Sequence, residues 1–145
     1  RPTPPVFVTV AAVAHMAGDV LLTPRARAPG KGLMALPGGF LEQRETVYQS
    51  AVRELEEETG LRLLPSTMKA GLREVQVFDH PDRSQRGRVI THAHYFFLGN
   101  GPLPEVRGSD DASEGRWVPV SELGGMETQF HDDHFHILDA FLNRG

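Results

Sequence analysis

The sequence predicts a mixed α/β domain. Three observations carry this reading: several short β-branched or aromatic runs, one strongly amphipathic helix near the middle of the chain, and a second helix at its end. No internal repeat and no second domain is visible, so residues 1–145 read as one domain, a length that single domains commonly have. Arg1-Pro2-Thr3-Pro4-Pro5 reads as a linker-like lead-in, because stacked prolines cannot nucleate a helix. Arg1 rather than Met opens the chain, as expected of a segment trimmed or cut from something longer.

Val6 to Val10 is β-branched and aromatic, hence a strand that Ala11 to Ala14 can continue. Ala17-Gly18-Asp19 reads as a tight turn, with Val20 to Thr23 as the hairpin partner. Pro24 to Lys31 is a loop carrying Arg25, Arg27 and Lys31, and the apolar run Leu33 to Leu36 stops at Pro37-Gly38-Gly39. Glu45 to Thr59 is the clearest helix: Val47, Tyr48, Ala51, Val52 and Leu55 form one apolar stripe, and Gly60 is a good residue to end it. Ala70 to Phe78 and Val89 to Leu98 are strands around a polar loop, Asp79 to Arg88. A loop from Gly99 to Glu114 leads to a short strand, Arg116-Trp117-Val118. Asp132 to Leu142 is a terminal helix with Phe135, Leu138 and Leu142 on one face.

Composition excludes several function classes. There are no cysteines, which removes disulfide scaffolds, Cys-based zinc sites, iron–sulfur clusters and thiol nucleophiles, and fits a reducing, cytoplasmic setting. No apolar run is long enough to span a membrane and no signal-peptide pattern opens the chain. A net charge of −4 makes a poor generic binder of nucleic acid, so neither nucleic acid nor a membrane is expected as a partner.

The chemistry concentrates at the end of the central helix. At 100° per residue, Glu54, Glu57 and Glu58 share an arc of about 100° on the shoulder of the apolar stripe, while Glu56 points elsewhere. Like charges at these spacings repel, and anions at a helix C-terminus oppose its dipole. Arg53 can relieve Glu57, and Arg62 is placed to relieve Glu58. A divalent cation would remove the remaining surplus, and oxygen-only ligands suit Mg²⁺ or Mn²⁺. The ordinary alternative is a solvated acidic helix end.

Context favours the metal. Gly39, Glu45, Arg53-Glu54-Leu55-Glu56-Glu57-Glu58-Thr59-Gly60 and Leu61 match the Nudix box at every position it defines, so the chain resembles a Nudix hydrolase. The resemblance implies an α/β/α sandwich, a mixed β-sheet flanked by helices. It also implies hydrolysis of a nucleoside diphosphate linked to another group. In that reading Glu54, Glu57 and Glu58 hold the cations, Arg53 orients the carboxylates, and Gly38 and Gly39 bring backbone close to the metal. Glu45 locks the loop to the helix. The general base is left open among the carboxylates. Some Nudix enzymes use a glutamate before a late strand, which makes Glu114 a candidate, with Asp110 and Asp111 behind it.

The resemblance extends to one branch of the family. Ala28 to Leu33, Ala35 to Leu41, Phe78 to Ser84, Arg86 to Arg88, Thr91 to Ala93, Asp110 to Ala112 and Asp133 to His136 are similar to the Nudix half of bifunctional nicotinamide mononucleotide adenylyltransferase/ADP-ribose pyrophosphatases. Met34 departs from that pattern, where Trp is expected. The implied substrate is ADP-ribose, giving AMP and ribose 5-phosphate, with a link to NAD turnover and a possible homodimer. Arg83, Arg86 and Arg88 suit phosphates, as does Arg25, and Phe78 or Tyr95 has the flat face to stack a base. Two other readings stand beside it: a pyrophosphohydrolase of nucleoside triphosphates or dinucleoside polyphosphates, and a non-catalytic ADP-ribose sensor. His131, His134 and His136 could suggest zinc, but His136 leaves their common helical face and no fourth ligand is apparent, so a structural role is expected.

Overall fold

The structure, a computed structural model, describes residues 3–106 and 115–143. Strand β1 (Val6–Met16) is its spine. Residues 9–14 of β1 are buried throughout, the pattern of a strand covered on both faces. β1 turns into β2 (Asp19–Pro24) through two residues, Ala17 at φ 51° and Gly18 at φ 81°. Two successive left-handed residues match the twist of a tight hairpin, which is why glycine is useful there. On its other side β1 runs parallel to β6 (Arg88–Phe97), from Val6 opposite Arg88 to His15 opposite Phe97. β5 (Leu72–Phe78) pairs antiparallel with β6 and forms the far edge. β3 (Met34–Ala35) and β7 (Arg116–Pro119) pair with β2, and β4 (Gly38–Phe40) pairs with β1. The seven-stranded sheet is therefore mixed, in the path order β3-β2-β1-β6-β5.

Helices cover both faces. Alternation along β1 sends Ala12 and Ala14 to one side, where Leu21, Phe96 and Leu55 of α1 (Val47–Thr59) close a core. Ala11 and Val13 face the other way and meet Ile137, Leu138 and Phe141 of α3 (His134–Leu142). This is the α/β/α sandwich expected. No helix among the described residues is long and apolar enough to cross a membrane.

Beyond shifts of one or two residues at strand ends, the elements differ from the sequence reading in these places. The central helix begins at Val47, not Glu45, because Thr46 caps it: its side chain accepts from Gln49 N, and the Gln49 side chain accepts from Thr46 N. Helix α2 (Pro65–Gly71), started by Pro65 in the first turn, takes Ala70 and Gly71 from the predicted strand. Gly38-Gly39-Phe40 is a strand rather than only the end of an apolar run. The terminal helix begins at His134, after Asp132 in a left-handed conformation.

Candidate active site

Helix α1 is held rigidly. Leu55 and Ala51 are sealed in the core, Thr59 donates to the Leu55 carbonyl, and Gly60 ends the helix at φ 74° with its N–H on the Glu56 carbonyl. That anchoring presses the acidic shoulder onto β4. Gly39 lies against Glu54 so closely that a Cβ built there would fall 1.7 Å from Glu54 Oε2. A Cβ on Gly38 would fall 2.2 Å from the Val10 carbonyl oxygen. Gly38 is thus required by the backbone it lies against, whereas at Gly39 an added Cβ could be accommodated only by displacing the Glu54 carboxylate. The Gly38 N–H donates to Glu58 Oε2 at 2.7 Å.

Arg53 ties the cluster together. Its Nε lies 3.0 Å from both carboxylate oxygens of Glu45, and its Nη1 reaches Glu54 at 3.0 Å and Glu57 at 3.1 Å. Ser50 also donates to Glu45, which holds that carboxyl below the usual carboxylate range, with Arg53 adding to the effect. Arg62 pairs with Glu56 at 2.9 Å, not with Glu58 as the spacing suggested; the chain turns at Gly60 and carries Arg62 toward the outer face. Glu58 is instead met by a backbone donor, with the charge of Arg25 also favouring its ionised form.

The charge surplus appears as displaced acidities. Burial pushes Glu54 up to about 7, and neighbouring Glu57 adds to this against the pull of Arg53. Burial pushes Glu58 up to about 8, with Glu54 and Glu57 adding, against the Gly38 N–H. Among the described residues no three His, Asp or Glu side chains close on one point as a finished coordination shell. The donors beside the glycine pair are nevertheless all hard oxygens, two of them carboxylates that ionise reluctantly without a cation. That chemistry fits Mg²⁺ or Mn²⁺.

A cleft of about 350 Å³ opens beside the cluster. It exists because β1 and β2 pair only near their turn and then diverge, with Leu36, Pro37 and β4 entering the gap. Gly38, Gly39 and Glu58 form one end, Arg25 and Arg27 lie along the β2 side, and Thr9, Thr91 and His134 line the remainder. Of the expected site residues, Arg25, Gly38 and Glu58 thus share one cavity, with Arg53, Glu54 and Glu57 behind it.

The other expected residues fall elsewhere. Arg83 has a side chain only 4% exposed and grips Asp133 through two bonds of 2.8 and 2.7 Å, with Thr91 at 2.7 Å, so its guanidinium is committed to the fold. Arg86 lies over the exposed ring of Phe40, and Arg88 donates to the Asp79 carbonyl. Phe78 packs edge-on to Phe141, and Tyr95 stacks on Phe141 while bonding His15; both rings serve the α3 interface. Glu114, with Asp110 and Asp111, lies outside the described residues. Arg27 enters the cleft from the same cationic loop as Arg25, whereas Thr9, Thr91 and His134 enter it without a local sequence signal, because strand divergence and long-range packing bring them there.

The raised carboxyl pKa values make a stability prediction. Between the ordinary value of 4.5 and the folded values of about 7 and 8, the folded chain holds more protons than the unfolded one. The stabilisation is complete below pH 4.5 and is lost as pH rises through 7 and 8. Thermal melts in a chelator should therefore show these groups lowering stability over that window, and Glu58→Gln should flatten the decline.

Comparisons with known proteins agree with this geometry. The NUDIX domain family model matches residues 4–141. The ADP-ribose pyrophosphatase of Methanocaldococcus jannaschii is 36% identical over 135 residues, which are 93% of this chain and 72% of that protein. The crystal structure of a bifunctional NMN adenylyltransferase/ADP ribose pyrophosphatase from Francisella tularensis, complexed with AMP and a Mn ion, superposes with a TM-score of 0.92 at 40% identity over 98% of this chain. This chain spans only 42% of that protein's length. The NUDIX domain of Shewanella oneidensis NrtR, complexed with ADP ribose, has a TM-score of 0.79 at 23% identity, over 94% of this chain and 86% of its own, a likeness of fold. With its acidic helix pressed on a glycine strand and a family match across nearly the whole sequence, the chain belongs to the NUDIX family of hydrolases.

Proposed function

We propose that the protein hydrolyses the pyrophosphate bond of ADP-ribose to AMP and ribose 5-phosphate, using Mg²⁺ or Mn²⁺, and so acts in NAD turnover. The observation that carries this reading is the meeting of the Glu58 end of the acidic cluster with a cleft whose β2 side bears Arg25 and Arg27. A pyrophosphate needs both: cations along its length and a charged centre at the phosphorus under attack. The relative from Methanocaldococcus jannaschii supports the choice of ADP-ribose.

The residues divide the work. Arg25 and Arg27 match the phosphate charge, and Arg25 is braced by its bond to the Pro29 carbonyl at 2.7 Å. Glu54, Glu57 and Glu58 would hold the divalent cations, which neutralise phosphate charge and acidify bound water. Arg53 keeps Glu54 and Glu57 oriented, and Gly38 keeps Glu58 turned inward. Water attacks one phosphorus, a new P–O bond forms, the bridging P–O bond breaks, and a carboxylate takes the proton. Glu54, with its acidity near neutral, is one candidate for that role; Glu114 is the other.

The test is AMP release from ADP-ribose and Mg²⁺, run beside nucleoside triphosphates, dinucleoside polyphosphates and NADH. ADP-ribose should be the preferred substrate, and Glu57→Gln should lower kcat by about 100-fold or more. Gly39→Ala should fold normally yet lose about as much, because its Cβ must push the Glu54 carboxylate aside. Preference for triphosphates would replace the substrate assignment. Binding of ADP-ribose without turnover would favour a sensor.

A further inference from the structure

His134 occupies an unusual position for a helix-starting residue. It is the first residue of α3 and lines the cleft together with Thr9, Thr91 and Glu58. Its placement is fixed from both sides. Asp133, just before it, is clamped by Arg83, which also donates to Thr91, and Thr91 in turn bonds Thr9 at 2.7 Å. On the ring itself, Nδ1 accepts the Leu36 backbone N–H at 2.9 Å.

That bond determines what the ring can do. A backbone N–H only donates, so Nδ1 must offer its lone pair, and the proton of the neutral imidazole lies on Nε2. Burial, reinforced by His131, lowers the pKa of His134 to about 4, so the neutral form holds at physiological pH. With its lone pair committed to Leu36, the ring cannot serve as a general base. Among the described residues Nε2 has no hydrogen-bond partner, and it is not one of the sealed unpartnered atoms. The ring therefore carries one unspent donor on the cleft side.

We propose that His134 is a substrate-binding residue, whose Nε2–H donates a hydrogen bond to an oxygen of the sugar–phosphate portion of the ligand in the cleft. The assignment rests on the pyrophosphatase reading for the identity of that ligand. Leu36 and the Arg83–Asp133 pair are its positioning partners. The Leu36 amide belongs to the segment leading into the glycine strand, so ring and acidic cluster keep a fixed relation.

Two variants separate substrate binding from a structural role. In His134→Asn the amide oxygen can still accept the Leu36 N–H, but no donor reaches the ligand. In His134→Gln the amide extends as far as Nε2, restoring a donor while giving up the Leu36 bond. His134→Asn should melt like the parent protein, with KM for ADP-ribose and Kd for AMP raised about tenfold and kcat changed less. His134→Gln should melt lower yet recover part of the affinity. A His134→Asn protein with parental KM and AMP affinity would overturn the proposal. Should the parent protein turn over no nucleotide, the functional reading fails by itself, and the AMP Kd ratio between parent and His134→Asn still decides the role of His134.

Discussion

The crowding of carboxylates around the Arg53 guanidinium governs this molecule. Arg53 contacts Glu45, Glu54 and Glu57 within 3.1 Å and lies 4.0 Å from Glu42, while Glu58 makes do with a backbone N–H. Among the described residues, Arg53 and the more distant Arg25 leave the buried members of that set resisting ionisation. A structure optimised for stability alone would place fewer acids at a helix C-terminus. Retaining them is a cost that makes sense where a divalent cation completes the balance.

The rest of the fold serves this arrangement. Glycines at 38 and 39 allow a strand to lie where any side chain would collide with Val10 or Glu54. The two-residue turn at Ala17-Gly18 starts a hairpin whose strands then separate, and that separation is the cleft. Opposite the acidic end, the chain Asp133–Arg83–Thr91–Thr9 fastens the start of α3 to the sheet. The Arg83 side chain of that ion pair is nearly sealed from solvent, so removing Asp133 would strand its charge. The cleft consequently has a rigid wall on both sides.

Much of the site was legible because it is local. The apolar stripe of α1, the stop at Gly60, and the shared arc of Glu54, Glu57 and Glu58 all follow from helical geometry. Glu45 locking to Arg53 also lies within reach of one helix end. What escaped was set by distant partners or by short segments. The Arg83 guanidinium looks like a phosphate ligand until Asp133, far along the chain, claims it. Arg62 answers Glu56 because the chain reverses at Gly60. Helix α2 is too short to show periodicity, and the Gly-Gly-Phe strand forms only because β1 offers it a partner. The cleft role of His134 depends on Leu36, a contact no spacing rule predicts.

We infer that the acidic cluster is a metal site held partly protonated until its cation arrives. Calorimetric titration of the protein with Mg²⁺ or Mn²⁺ at pH 7, in buffers of different ionisation enthalpy, tests it most directly. Binding should be saturable and should release protons, with affinity rising as pH increases through the carboxyl values of about 7 and 8. Binding without proton release, or no saturable binding, would contradict it.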